Sequence, residues 1–246
     1  MAVKSPDALS IFYFEEEGRQ NLVQVVRILK RLLRKREGLR SKKFVFFTAF
    51  GEGPLIAYNQ FQEFDVKIIA VTFPRSFMVK VEGKEHHPDL SPKIRAFFDG
   101  VGIKVLSGRL PFDSIEGAEG LNREMKLVKD VLTTISGSFP LCIQAVLQSC
   151  DMGEVEPGEQ VVAITGDCAA LVTASTSNRF LSGDDGLVVN EILCKPRNLN
   201  LARRYSPKVI SQPLLFGGPV DLKVRNVPEL QEPQVPRLQE GKSEEE

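Results

Sequence analysis

The chain carries no excess of charge. Its 32 lysines and arginines balance 32 aspartates and glutamates, so nothing global draws it to nucleic acid or to an anionic surface. Long apolar runs are missing too, since no stretch reaches the ~18 residues that a membrane span needs. The opening residues, MAVKSPDALSIFYFEEEG, lack the apolar run and small-residue cleavage site of a secretory signal. A cytoplasmic location is the resulting expectation. Histidine is scarce. The two present, His86 and His87, are adjacent within EGKEHHPDL and would hold a metal only with ligands from elsewhere, so a solvated loop is the plainer reading. The four cysteines, Cys142, Cys150, Cys168 and Cys194, form no C-x-x-C pair and no zinc-type spacing. Each lies among apolar neighbours, where cysteine acts as a small buried hydrophobe. No metal or cofactor is expected.

What remains is ordinary globular material: 246 residues, 42% hydrophobic and 26% charged, enough to bury a full core without covalent staples. Strand-like and helix-like segments alternate. SIFYF (10–14) reads as a strand rich in aromatic residues. The next segment places Leu22, Val25, Val26, Leu29, Leu32 and Leu33 at helical spacing. KFVFFTAF (43–50) and VKIIAVT (66–72) are nearly continuous apolar runs, the mark of strands covered on both faces. Between them GEGP leads into a short helix, LIAYNQFQEF. A polar excursion over 73–92 ends at Ser91-Pro92, a helix start with proline in its favoured first turn.

IKVLSGR (103–109) is a further strand, and 122–152 gives a long helical pattern that Pro140, within SGSFP, should break or kink. EQVVAIT (159–165), AALVTAS (169–175) and LVVNEILCK (187–195) read as the closing strands. The first two are too close for a helical crossover and must form a hairpin. The pattern predicts a three-layer α/β/α sandwich with a mostly parallel sheet and an antiparallel edge hairpin. One domain over 1–215 is expected, followed by a Pro- and Glu-rich tail, 216–246, that reads as disordered.

Several of these segments, taken in order, resemble the pyruvate kinase C-terminal-domain-like proteins, stand-alone relatives of the regulatory domain of pyruvate kinase. ALVTASTSNRF followed by VNEILCKPR is similar to the family's closing signature. KFVFFTAFGEGPLIAY is similar to its first strand, glycine loop and helix, KIIAVT and GVGIKVLSG to its next strands, and SGSFPLCIQAVLQSCDMGEVEPGEQVVAITG to its long helix and the following strand. The likeness covers roughly residues 10–197. It implies a central sheet of about five or more strands. It does not imply kinase catalysis, because pyruvate kinase works in a barrel domain with no counterpart in this chain. In the full enzyme the related domain binds a phosphorylated effector and helps build the oligomer. The resemblance therefore implies a small phosphorylated metabolite and a homo-oligomer as partners.

The glycine loop TAFGEGP is the candidate anion site. Thr48 offers a hydroxyl, Gly51 and Gly53 let backbone N–H groups approach a ligand, and the helix that follows begins electropositive. Glu52 places a carboxylate where a phosphate would sit, although the family tends to carry an acid there as well. A tight strand-to-helix turn that needs glycine is the competing reading. Other parts of the family's cleft look eroded. Gly166 is kept in TGDCA, but the arginine of relatives is absent and Asp167 is acidic. Gly137 is kept in GSFPLC, without the lysine. Asp167 and Cys168 read as turn residues and not as a catalytic pair, since a reactive thiol wants an electropositive setting. Asn178 and Arg179, within SNRF, match the family; Arg179 could face the cleft and restore its positive charge, or the segment could be a structural loop.

From Arg27 to Lys43 nine basic residues stand against Glu37, on the face opposite the leucine stripe. Such a helix can bind phosphate backbones or acidic partners. A solvated helix face is the preferred reading, since no aromatic residues interleave with the charges. Three functions compete: a binder of a small anionic or phosphorylated metabolite, an interaction scaffold with a vestigial cleft, and an enzyme of unrecognised chemistry. No recognisable nucleophile–base pairing supports the last. The first is preferred.

Overall fold

Strands rich in aromatic and β-branched residues alternate with amphipathic helices in a computed structural model, which describes residues 10–35, 41–81, 84–112 and 123–199. The elements run β1 (Phe12–Glu16), α1 (Leu22–Lys35), β2 (Lys43–Phe47), α2 (Glu52–Gln60), β3 (Lys67–Thr72), β4 (Val79–Val81), β5 (Lys84–His86), α3 (Pro92–Gly100), β6 (Lys104–Ser107), α4 (Arg123–Leu132), α5 (Phe139–Asp151), β7 (Gln160–Ile164), β8 (Ala169–Thr173) and β9 (Val188–Asn198), with 3-10 turns at Arg19–Asn21 and Ser177–Arg179. The expected 216–246 tail, and the domain's predicted end at 215, lie outside the described residues.

Seven strands form one sheet in the order β1-β9-β8-β7-β2-β3-β6. All neighbours are parallel except at β8, which is antiparallel to both β7 and β9. The expected α/β/α sandwich is the architecture found. The β7–β8 hairpin lies toward the β1 side of the sheet, with β9 and β1 added beyond it. β2 and β3 are buried on both faces, as their unbroken apolar runs require. One core, with Phe44, Phe46, Ile68 and Ala70 of the sheet, lies under α1, α2 and α3. The other, with Val45, Ile69, Val71 and Ala163, lies under α5.

Three local readings change in the structure. The polar excursion after β3 contains a small antiparallel hairpin, β4–β5. His87 follows it with its Nδ1 2.8 Å from the Phe77 carbonyl, so it is held by the chain rather than freely solvated. The 122–152 helical pattern is interrupted at SGSFP as expected, but Pro140 is not itself the residue that breaks it. α4 ends at Leu132 and α5 begins at Phe139, which puts Pro140 in the first turn of a new helix where a missing N–H costs nothing. β9 runs on to Asn198 because β1 pairs with its second half, Phe12 opposite Cys194 and Glu16 opposite Asn198.

The basic segment is partly neutralised by the protein itself. Lys30 and Arg34 both reach Glu63, Lys42 pairs with Asp65, Lys43 pairs with Glu159, and Arg31 stacks over Phe12. Arg34 and Lys30 hold the Glu63 carboxyl below its usual range through their hydrogen bonds. A phosphate backbone docking on α1 would have to compete with these acids. Arg36 and Arg40 lie outside the described residues. Among the described residues no helix is long and apolar enough to cross a membrane.

Candidate functional site

From β2 the chain turns through α2 to β3 on one side, whereas from β7 it turns to β8 on the other. In open α/β sheets ligands settle in the crevice outside the carboxyl ends of strands at such a reversal. A cavity of about 140 Å³ lies at that place, against the ends of β2, β3 and β7 and the amino ends of α2 and α5. Thr48, Glu52, Gly53 and Gly166 line it, as the sequence suggests.

Gly51 sits just behind, with φ +88° at the start of α2, and the Thr48 hydroxyl accepts its N–H at 2.9 Å. Gly137 is next to Ser138, which lines the cavity, but its N–H is taken by the Glu17 carboxylate at 2.8 Å. Gly166 sits at a close approach: a Cβ there would lie 3.3 Å from the Arg19 Cα, tighter than most such contacts.

Asn178 and Arg179 are not part of the cleft. β8 runs antiparallel to β7, so Thr173 at its end lies opposite Gln160, and the SNR turn emerges at the far end of the sheet. There the Ser177 N–H and hydroxyl bind Asp151 at the close of α5, and Arg179 pairs with Asp185. The structural-loop reading is the one found.

The cation in the cleft is Arg19. It arrives on the loop after the edge strand β1 and forms an ion pair with Glu52, with the two side chains only 19% and 12% exposed. Its guanidinium also lies 5.7 Å from the centre of the Phe50 ring. Nothing local in GRQN marks this arginine as a site residue; only the packing of the loop over Gly166 brings it in.

Asp167 proves to be a tie between distant segments. It is 4% exposed, accepts the Gly18 N–H at 2.8 Å, and accepts the Ser138 hydroxyl. Ser138 also lies 2.7 Å from the Thr165 hydroxyl. Burial pushes the Asp167 carboxyl above its usual range, the bonds from Ser138 and Gly18 and a weaker one with Ser136 oppose this, and the Glu17 charge adds to it. A carboxyl raised on folding contributes stability below its unfolded pKa, and loses that contribution as pH climbs through its folded value. The melting temperature of Asp167→Asn relative to the unsubstituted protein is therefore expected to rise with pH from the ordinary aspartate range upward. Melting curves of the two proteins from about pH 3 to about pH 8, a range that starts below the usual aspartate value, test this. A difference independent of pH would remove the assignment.

Cys168 follows Asp167 but is fully buried, as are Cys142 and Cys194, and Cys150 is nearly so. Its hydrogen bond with the Cys142 thiol, followed by burial, pushes the Cys168 thiol well up. Burial above all pushes Cys150 to about 12. These are packing residues, in keeping with the sequence. Among the described residues no group of three or more His, Cys, Asp or Glu side chains is placed to hold a metal. No family model matches the chain.

Proposed function

We propose that this chain is a stand-alone, non-kinase binding protein of the pyruvate kinase C-terminal-like type, and that its cleft receives the anionic group of a small metabolite. The observation that carries the reading is the placement of Arg19 beside the glycine loop and the amino end of α2, at the strand-order reversal. A guanidinium and a helix start on one small concavity favour an anion over other ligand chemistry. The remaining lining supplies hydroxyls from Thr48, Ser138 and Thr165 and an apolar wall from Phe47, Phe73 and Leu141. A phosphate ester or a short carboxylic acid is the size of ligand implied.

Thermal shift with sugar phosphates, nucleotides and glycolytic acids is the test. A ligand at about a hundred times its Kd stabilises by about 2.7 kcal/mol, which is several degrees for a chain of this size. The shift should disappear in Arg19→Ala. One observation favours a second reading. The protein's own carboxylates already sit on its donors, Glu17 on Gly137 N–H, Asp167 on Gly18 N–H and Glu52 on Arg19. A cleft filled this way could be vestigial and the chain a scaffold. Absence of any shift across the panel would favour that reading, and a partner would then be sought by its co-purification with the full chain.

A further inference from the structure

The Arg19–Glu52 pair restricts which anions the cleft can take. Among the described residues lining the cavity, Arg19 is the one cation, against two carboxylates, Glu52 and Asp167. Glu52 is 12% exposed on its side chain and Asp167 is 4% exposed overall. A ligand that simply takes Arg19 away from Glu52 leaves a poorly hydrated carboxylate without its partner, and breaking a buried pair by removing one member is strongly unfavourable. A phosphate dianion compounds the difficulty, since two further negative charges would join the Glu52 carboxylate around a single guanidinium. The cost of releasing Glu52 vanishes when the ligand brings its own cation.

Resting on the anion-binding reading above, we infer that the ligand is a zwitterion of the small α-amino acid class, which exchanges the internal ion pair for two external ones. Its carboxylate takes Arg19 and its ammonium takes Glu52, so both members of the internal ion pair keep a partner. Thr48, Ser138 and Thr165 offer hydroxyls to the polar end, while Phe47, Phe73 and Leu141 accept a short side chain. The cavity, at about 140 Å³, suits a molecule of few heavy atoms and not a nucleotide. No covalent step is involved: the device is recognition by exchange of partners.

Calorimetric titration of the full chain with matched pairs tests the inference without any substitution. Glycine, L-alanine and L-serine are compared with glycolate, L-lactate and L-glycerate, which keep the carboxylate and replace the ammonium by a hydroxyl; glycerol 3-phosphate serves as the dianion. At least one amino acid should bind about tenfold or more tightly than its hydroxy-acid counterpart, a difference of about 1.4 kcal/mol. Glu52→Gln, with its fold checked by melting, should remove that preference while leaving the hydroxy acid's binding the same or tighter. Arg19→Ala should abolish both.

Equal binding within each pair, or binding of glycerol 3-phosphate in preference to the amino acids, would overturn the zwitterion while leaving an anion site in place. Amino-acid binding that survives Glu52→Gln undiminished would overturn the exchange. Silence from every probe here and in the broader panel would take down the anion-binding reading with it.

Discussion

Phe139→Ala should lower stability by about 3–5 kcal/mol, the usual cost of emptying a buried phenylalanine site. For a chain of this length each kcal/mol is worth roughly 2–4 °C, so the melting temperature should fall by roughly 6–20 °C. Phe139 is completely buried at the first position of α5, in the core shared with Val45, Ile69 and Ala163. α5 covers that core over its whole length, with Cys142, Ile143, Ala145, Val146 and Leu147 all at zero exposure. The neighbouring Ser138 holds Asp167 and Thr165, so loosening the helix start loosens the cleft wall as well. Leu127→Ala is the contrast: Leu127 is 64% exposed on α4 and its loss should change stability by no more than about 0.5 kcal/mol. Comparable effects for the two substitutions in chemical denaturation would show that α5 is not the anchor described.

Gly51→Val should cost about 3 kcal/mol or more, through two separable terms. Gly51 adopts φ +88°, a left-handed conformation that costs an L side chain roughly 1–2 kcal/mol, and more when β-branched. A Cβ there would also lie 2.8 Å from the Ile94 Cγ2 and 3.2 Å from the Phe98 ring, and overpacking of this kind costs about 1–3 kcal/mol. Gly102 separates the terms, because it too has positive φ, +77°, but has open space where a Cβ would go. Gly102→Ala should therefore pay for the backbone alone, and Gly51→Ala should exceed it by the packing term. Equal losses at the two glycines would mean that α3 yields freely to α2. The same glycine sets the entry of α2 over Thr48, so the valine variant should also lose the ligand response predicted for the cleft.

Most of the frame was legible because burial on two faces writes itself as unbroken apolar runs, as in Lys43–Phe47 and Lys67–Thr72. The α1 stripe is equally plain, with Leu22, Val25, Val26 and Leu29 all buried. The loop Thr48–Gly53 was readable as a site candidate from its glycines at the end of a buried strand, although the same glycines serve the strand-to-helix turn, Gly51 at φ +88°. Arg19 was not. Its position depends on β1 joining β9 across the whole chain, a pairing that no local pattern encodes. Arg179 was misplaced for a different reason. The short connection between β7 and β8 already forces antiparallel pairing, and an antiparallel strand delivers the residues after it to the opposite end of the sheet. Asp167 looked like turn chemistry from its neighbours; its ties to Gly18 and Ser138 come from segments that meet only in the folded sheet.

The pairing of β1 with β9 also sets an order in time. On the ribosome β1 emerges some 180 residues before its one neighbour among the described residues, Phe12 being partnered by Cys194, and at about 5–20 residues per second this is a wait of roughly ten seconds or more. Strands β2, β3, β6 and β7 can assemble during that interval, since they neighbour one another and arrive within the same stretch of chain. Arg19, carried on the loop just after β1, meets Glu52 and Gly166 within the same interval, but the strand that leads into it gains its ladder only when β9 arrives. The edge beside the cleft is thus among the last parts of the sheet to close, and a chain arrested before Val188 would hold Thr48, Gly51 and Arg19 with β1 still lacking its β9 ladder.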